Sequence, residues 1–139
     1  MQIAISASAP DLDAAPDPRF GRAPYFVLVD PETMAWQAFP NPAYGQDDYC
    51  AITAIKSLLA HQPAAVVSGH YGPKAIGGLR AAHIPAYLFE SQASVQAAAV
   101  AFQAGALKET LEATVPGHHA ASHTEVRQPV ANSDDCLYR

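Results

Sequence analysis

The chain has 139 residues, of which 50% are hydrophobic and 15% are charged, and its formal net charge is −5. This composition fits one compact domain and excludes collagen-like, coiled-coil and mostly disordered chains. A negative net charge argues against nucleic-acid binding, which depends on positive charge. No apolar run approaches the ~18 residues of a membrane span, and Met1–Ser8 lacks the features of a signal peptide. We therefore expect a cytoplasmic protein that binds neither membranes nor nucleic acids.

The first part of the chain is predicted to form three strands. Residues 2–7 alternate in polarity and predict the first strand. Residues 8–18 contain three Asp and three Pro, which predicts a surface loop. Residues 24–29 are rich in β-branched and aromatic side chains, and a turn at 30–33 leads into a second alternating segment at 34–39. These last two segments predict an antiparallel hairpin.

The first predicted helix follows an irregular loop. Residues 41–48 form this loop, and Asp47 or Asp48 is expected to be the helix N-cap. Apolar residues then recur on one helix face at Ile52, Ile55, Leu58 and Leu59. The helix is expected to run to about His61 because Pro63 stops it.

Two strand–helix units complete the predicted domain. Residues 64–68 form a short apolar strand, and the second helix runs from Pro73, a residue suited to the first helical position, to about Ala82. Residues 85–89 form the last strand. Ser91 is expected to cap the third helix, and Gly105 can occupy the position just after its end.

This element order predicts an α/β domain with a mixed sheet. Five strands in the order 3-2-1-4-5, with helices on both faces, satisfy the right-handed crossover rule and resemble the ribonuclease H-like architecture. We place this domain at residues 1–114. Residues 115–139 lack periodicity and are predicted to be a flexible tail that contains His and Cys residues.

Two loops are expected to meet at the switch point of this sheet, between the carboxyl ends of the first and fourth strands. One comprises residues 8–23 and the other residues 69–72, which lead into a helix N-terminus. Backbone N–H groups and the helix dipole there, together with Lys74 and two arginines, predict a small positive pocket. An anion is its expected occupant.

The two arginines, Arg19 and Arg22, flank Phe20-Gly21. Glycine permits a close backbone approach to a ligand, and each guanidinium offers a fixed fork of donors. Alternatively, Phe20 is a core residue and the arginines are surface charges that pair with a neighbouring aspartate, namely Asp11, Asp13 or Asp17.

Candidate metal ligands are few. Cys50 is expected in the first turn of the first helix, where the dipole favours a thiolate, and His70 lies in the loop after the fourth strand. Alternatively, Cys50 is a small core residue and His70 faces solvent. The tail adds a group that fits no closed zinc pattern and is more simply explained as incidental: His118, His119, His123 and Cys136.

Several enzyme classes lack support in this sequence. No P-loop, dinucleotide-binding, nucleophile-elbow or zincin motif is present. The predicted central strands at 1–7 and 64–68 also contain no carboxylates of the kind that a two-metal nuclease requires.

Four segments carry a family resemblance: Met1–Ile5, Asp17–Phe26, Asn41–Pro42 and Val66–Ala75. Together they resemble the dinitrogenase iron–molybdenum cofactor biosynthesis family, which includes the NifX and NafY carriers, the carboxy-terminal domain of NifB and the molybdenum–copper orange protein. The resemblance extends over about residues 1–109. It implies a ribonuclease H-like fold and the binding of metal–sulfur clusters without catalysis.

The resemblance also implies roles for individual residues. The ligand cleft would be lined by Arg19, Phe20, Gly21 and Arg22. Its opposite wall would be the loop after the fourth strand, with Gly69, Tyr71, Gly72 and Lys74. The candidate metal ligands are Cys50 and His70, and the arginines would be electrostatic partners of the cluster.

We therefore expect a non-catalytic carrier of an anionic metal–sulfur cluster, which would be an iron–sulfur precursor, an iron–molybdenum cofactor or a molybdenum–copper–sulfur cluster. Its partners would be the proteins that donate and receive the cluster, and the carrier itself would be a monomer or a weak homodimer. An alternative is a regulatory or scaffold module that senses a small oxyanion. A third is an enzyme with Cys50 as nucleophile and His70 as base.

Overall fold

The computed structural model of the protein describes residues 1–47 and 49–115. Within these residues the chain forms nine elements, in the order β1 (Ile3–Ala7), β2 (Tyr25–Val29), β3 (Trp36–Pro40), α1 (Cys50–Leu59), β4 (Ala65–Ser68), α2 (Pro73–Ala81), β5 (Ala86–Leu88), α3 (Val95–Gln103) and β6 (Lys108–Thr110). Each helix in this part of the chain is too short to cross a lipid bilayer. The remainder of the predicted tail, residues 116–139, lies outside the described residues, so its flexibility stays a prediction.

The strands form one mixed sheet in the order β3-β2-β1-β4-β5-β6. β1 pairs antiparallel with β2 and parallel with β4, so the predicted order of the first five strands is confirmed. The prediction of only five strands is wrong, because β6 adds an antiparallel edge strand along β5. Its sequence, Lys-Glu-Thr, has no apolar alternation, and the segment becomes a strand by pairing with the otherwise open edge of β5.

Helices cover both faces of the sheet, as predicted. α1 and α2 pack on one face over Ala4, Phe26, Leu28 and Val66. α3 packs on the other face over Ile3, Ile5, Val27 and Val67. The alternate residues of each central strand therefore face two separate cores, which explains why these strands are apolar throughout. The likeness to ribonuclease H remains a prediction.

Helix α1 differs from its prediction at its start and along its buried face. Its N-cap is Tyr49, at φ 62°, and not one of the predicted aspartates, Asp47 or Asp48. The predicted apolar stripe is wrong at Ile52 and Leu59, which are each 45% exposed. The buried face is offset by one position and consists mainly of small side chains: Cys50, Ala51, Ala54, Ile55 and Leu58. The prediction followed the large apolar side chains of α1, whereas small residues, alanine and cysteine, make up most of the face that packs on the sheet.

The other helix ends are set by local signals. α2 begins at Pro73 as predicted. α3 begins later than expected, because Ser94 and not Ser91 is its N-cap: the Ser94 hydroxyl accepts a hydrogen bond from the Ala97 N–H at 3.0 Å. Gly105, at φ 75°, follows the last turn of α3 and confirms the predicted helix end.

This cap leads to a first prediction about stability. We expect Ser94→Ala to lower the free energy of unfolding by about 1 kcal/mol, because an N–H of the first turn of α3 loses its acceptor. The measurement is urea denaturation followed by circular dichroism. Ser91→Ala, at an exposed position three residues earlier, is the control and should leave the midpoint unchanged. Equal losses in both variants would contradict this assignment of the cap.

Candidate functional site

The candidate site lies at the carboxyl ends of β1 and β4, which are neighbouring parallel strands. The loop after β1 and the loop after β4 both begin there, as expected for a switch point. Their backbones are bonded directly: the His70 N–H donates to the Pro18 carbonyl at 2.7 Å, and the Phe20 N–H reaches the His70 carbonyl at 3.4 Å. The loops are therefore joined edge to edge, which differs from the predicted arrangement of two facing walls.

Gly69 permits this close approach. A Cβ atom at this position would lie 2.8 Å from Cβ and 2.9 Å from Cα of Pro18, and 3.3 Å from the Phe89 ring. The need for glycine here is steric. Gly69 thus belongs to the site as the point at which the two loops touch.

Two buried hydroxyls support the same junction. The Ser6 hydroxyl donates to the Asp17 carbonyl at 2.6 Å and lies 2.7 Å from the hydroxyl of Ser68. Ser68 in turn lies 3.4 Å from the Pro18 carbonyl. Both serines are fully buried at the ends of otherwise apolar strands. Sequence reasoning missed them, although a serine that ends a buried apolar strand is itself a usable signal.

Arg19 is held by Asp17. Its Nε atom lies 3.1 Å from Oδ1 and its Nη2 atom 2.9 Å from Oδ2, and the Arg19 N–H also donates to Oδ1 at 2.9 Å. These hydrogen bonds raise the pKa of Arg19, although partial burial opposes the shift. The structure shows the aspartate pairing that the alternative interpretation expected. Arg19 therefore presents an oriented guanidinium whose charge is compensated by a neighbour.

Phe20 and Tyr71 lie beneath the loops. The Phe20 ring is buried between Phe26, at 5.7 Å between ring centroids, and Tyr71, at 5.6 Å. The Tyr71 hydroxyl donates to the Tyr87 carbonyl at 2.8 Å, and complete burial raises the pKa of Tyr71. The resemblance implies that the side chain of Tyr71 lines the ligand cleft, but in the structure this side chain is buried in the core. Only the backbone of Tyr71 lies at the junction of the two loops. Both rings anchor the loops to the core.

Gly21 brings the first loop onto the start of α1. A Cβ atom at this position would lie 3.4 Å from Cβ of Cys50 and 3.5 Å from N of Ala51. Asn41, which is buried, holds this segment by donating to the carbonyl of Ala23 at 2.8 Å and to that of Gly21 at 3.3 Å. The half-buried Arg22 is thus placed beside the α1 N-terminus. Sequence reasoning gave Asn41 no structural role.

Two helix N-termini supply positive potential at this edge. β1, β3 and β4 run in the same direction, so α1 and α2 both begin at the carboxyl end of the sheet. Neither N-cap residue, Tyr49 or Gly72, makes a side-chain capping bond, and neither first turn contains an acidic residue. Lys74, which is half-buried, lies in the first turn of α2. This arrangement favours an anion.

The two predicted metal ligands have different surroundings. The Cys50 sulfur is fully buried, lies 3.4 Å from the Gln46 carbonyl oxygen and is disulfide-bonded; the described residues contain no free thiol. The predicted roles of Cys50 as a thiolate ligand and as a nucleophile both require the reduced thiol, and they stay predictions. His70 is half-buried at the loop junction. Residues 1–47 and 49–115 contain no group of three metal-ligating side chains.

Comparisons with known proteins identify the family of the chain and relatives of its fold. The family model described as dinitrogenase iron–molybdenum cofactor matches residues 1–105. The chain belongs to this family. As a member of the dinitrogenase iron–molybdenum cofactor family, it is associated with the biosynthesis or binding of the nitrogenase cofactor. No curated protein sequence matched the chain.

Two solved structures resemble this family member over most of their length. The apo form of the orange protein from Desulfovibrio gigas is 33% identical with a TM-score of 0.77, and the alignment covers 82% of this chain and 96% of that one. The NMR structure of a Thermotoga protein, described as NifB and as belonging to the DUF35 family, is 28% identical with a TM-score of 0.70, and the alignment covers 82% and 97%. The fold is therefore shared across this group.

Proposed function

We propose that the protein is a non-catalytic carrier of an anionic metal–sulfur cluster, which it binds at the carboxyl ends of β1 and β4. One observation carries this proposal: α1 and α2 begin at the same edge without acidic residues in their first turns, beside the Arg19–Arg22 segment. This places concentrated positive potential on a chain with a net charge of −5. Membership of the cofactor family supports a cluster as the anion.

The residues of the site suit reversible binding. Metal–sulfide clusters spread their negative charge over many sulfur atoms, so they are held by N–H donors and diffuse positive charge as well as by direct ligands. Arg22 and Lys74 supply formal charge, and His70 supplies one imidazole nitrogen that can be exchanged for a ligand from another protein. Such a site releases its cargo readily. Donor and recipient proteins of cofactor assembly are its proposed partners.

Arg19 has a different role from Arg22 in this proposal. Asp17 neutralises the charge of Arg19 and fixes its orientation through two side-chain hydrogen bonds. The remaining nitrogen, Nη1, makes no hydrogen bond within the described part of the chain and is available to a ligand. Arg19 therefore contributes oriented donors, whereas Arg22 and Lys74 contribute cationic groups at the starts of α1 and α2.

The test is anaerobic reconstitution with ferrous iron and sulfide, and separately with tetrathiomolybdate, followed by visible absorption and metal analysis. We expect Arg22→Ala/Lys74→Ala to weaken binding at least tenfold, or about 1.4 kcal/mol, because charge-assisted hydrogen bonds are lost. Lys56→Ala/Arg80→Ala is the matched control: it removes the same charge from exposed positions towards the other ends of the same helices. Equal binding by wild type and the first variant would refute the proposal.

A simple oxyanion also suits helix N-termini and arginine donors. Titration calorimetry with molybdate and phosphate distinguishes this second candidate from the first. A cluster carrier should bind tetrathiomolybdate far more tightly than either oxyanion, whereas an oxyanion sensor should show the reverse order.

A further inference from the structure

The segment after β6 returns to the loop that follows β4. Two backbone N–H groups of this segment converge on the Tyr71 carbonyl, from Thr114 at 2.8 Å and from Val115 at 3.3 Å. The Tyr71 N–H in turn donates to the Thr114 hydroxyl at 2.7 Å. Residues 114 and 115 therefore satisfy both backbone polar groups of Tyr71. They lie beyond residues 1–105, which the family model matches.

The position of Tyr71 in the chain makes these hydrogen bonds relevant to the candidate site. Tyr71 directly follows His70 and directly precedes Gly72, the N-cap of α2. The Gly72 carbonyl accepts the hydrogen bond of the Ile76 N–H at 3.1 Å, which begins the helix. A displacement of the Tyr71 backbone would therefore move His70 and the first turn of α2 together. That turn supplies part of the positive potential of the site.

Different neighbours hold different parts of this loop. The loop after β1 holds His70 through its N–H and its carbonyl, and the Tyr87 carbonyl holds the ring of Tyr71 through its hydroxyl. The segment after β6 holds the Tyr71 peptide groups and is itself fixed to the sheet. Thr110 in β6 pairs with Ala86 in β5, and Val115 is only 6% exposed. The loop after β4 is thus tied to the sheet edge through Thr114.

We propose that Thr114 is a positioning residue for the candidate site. Its hydroxyl accepts from the Tyr71 N–H and so keeps the loop after β4 and the start of α2 in the geometry that binds the anion. This inference rests on the proposed function, because it concerns the same site. Groups that support the binding residues without touching the ligand determine how precisely those residues are held. Since the Thr114 side chain is exposed, water can partly replace its hydroxyl, and the expected effect is moderate.

The test compares Thr114→Val, which removes the hydroxyl and keeps the size of the side chain, with Thr114→Ser, which keeps the hydroxyl. In the full chain without ligand, we expect the Tyr71 amide to exchange its hydrogen about threefold faster in Thr114→Val, because it loses its acceptor. Tetrathiomolybdate affinity should fall by about threefold or more in the same variant. Thr114→Ser should restore both the exchange rate, measured by NMR, and the affinity.

Thr110→Val is the matched control. The Thr110 hydroxyl donates to the Glu112 carbonyl at 2.8 Å, so this variant loses a comparable hydrogen bond within its own segment. It should change neither measurement. Wild-type values in Thr114→Val, failure of Thr114→Ser to restore them, or an equal loss in Thr110→Val would overturn the inference. Wild-type protein that binds no tetrathiomolybdate would refute the proposed function instead, and the Tyr71 exchange rate would then decide by itself whether Thr114 holds the loop.

Discussion

Phe20→Ala is expected to lower the free energy of unfolding by about 3–5 kcal/mol, the range for loss of a large aromatic side chain from a core. The ring is 2% exposed and packs between Phe26 and Tyr71. Its removal leaves a cavity at the point where the loop after β1 meets the core. Because Phe20 lies between Arg19 and Arg22, the loop also loses its anchor, and we expect cluster binding to be lost with it.

Phe102→Ala is the control for this experiment. Phe102 is only partly buried, on the α3 face, where its ring meets Tyr87 edge-on at 5.0 Å between centroids. Its loss should cost less stability and leave cluster binding unchanged once the protein is folded. Urea denaturation measures the first effect and reconstitution with tetrathiomolybdate the second. If Phe20→Ala kept full binding while folded, the anchoring role of the ring would be disproved.

Gly69→Ala is the second substitution with a large expected effect. The added Cβ would lie 2.9 Å from Cα of Pro18, and backbone atoms cannot move aside as the end of a flexible side chain can. The loop after β1 and the loop after β4 must therefore move apart, which breaks the hydrogen bond from the His70 N–H to the Pro18 carbonyl. We expect a loss of about 2–3 kcal/mol in unfolding free energy, typical of overpacking, together with strongly weakened cluster binding.

Gly77→Ala provides the matched control. Gly77 is exposed within α2, and no atom lies within 4 Å of the position that its Cβ would take. Alanine there should stabilise the protein by about 0.5–1 kcal/mol, because glycine is a poor helix former. Thermal unfolding of both variants gives the comparison. A Gly69→Ala protein as stable as the wild type would show that the loops do not need this contact.

The electrostatics of the site were only partly predictable from sequence. Arginine beside phenylalanine and glycine in a loop at the switch point predicts a gathering of positive charge, and this stays a prediction. The sequence left three aspartates as possible partners of Arg19, and only the folded loop selects Asp17, by turning its carboxylate toward the Arg19 backbone and side chain together. Tyr71 shows the same limit, because nothing local indicates that its ring turns under the loop into the core.

What the sequence alone determined is local: the order of strands and helices, the central pairing that this order permits, and the loops that meet between β1 and β4. Period-2 apolar segments and clusters of Pro, Gly and Asp carry that information within a few residues. The tertiary structure decided β6, the buried face of α1 and the hydrogen bonds between Thr114 and Tyr71. Thr114 and Tyr71 are 43 residues apart, and β6 has no strand pattern of its own. Such features depend on which surfaces the folded sheet leaves open for pairing and packing. A short stretch of sequence does not contain that information, because the surfaces are formed by residues far apart in the chain.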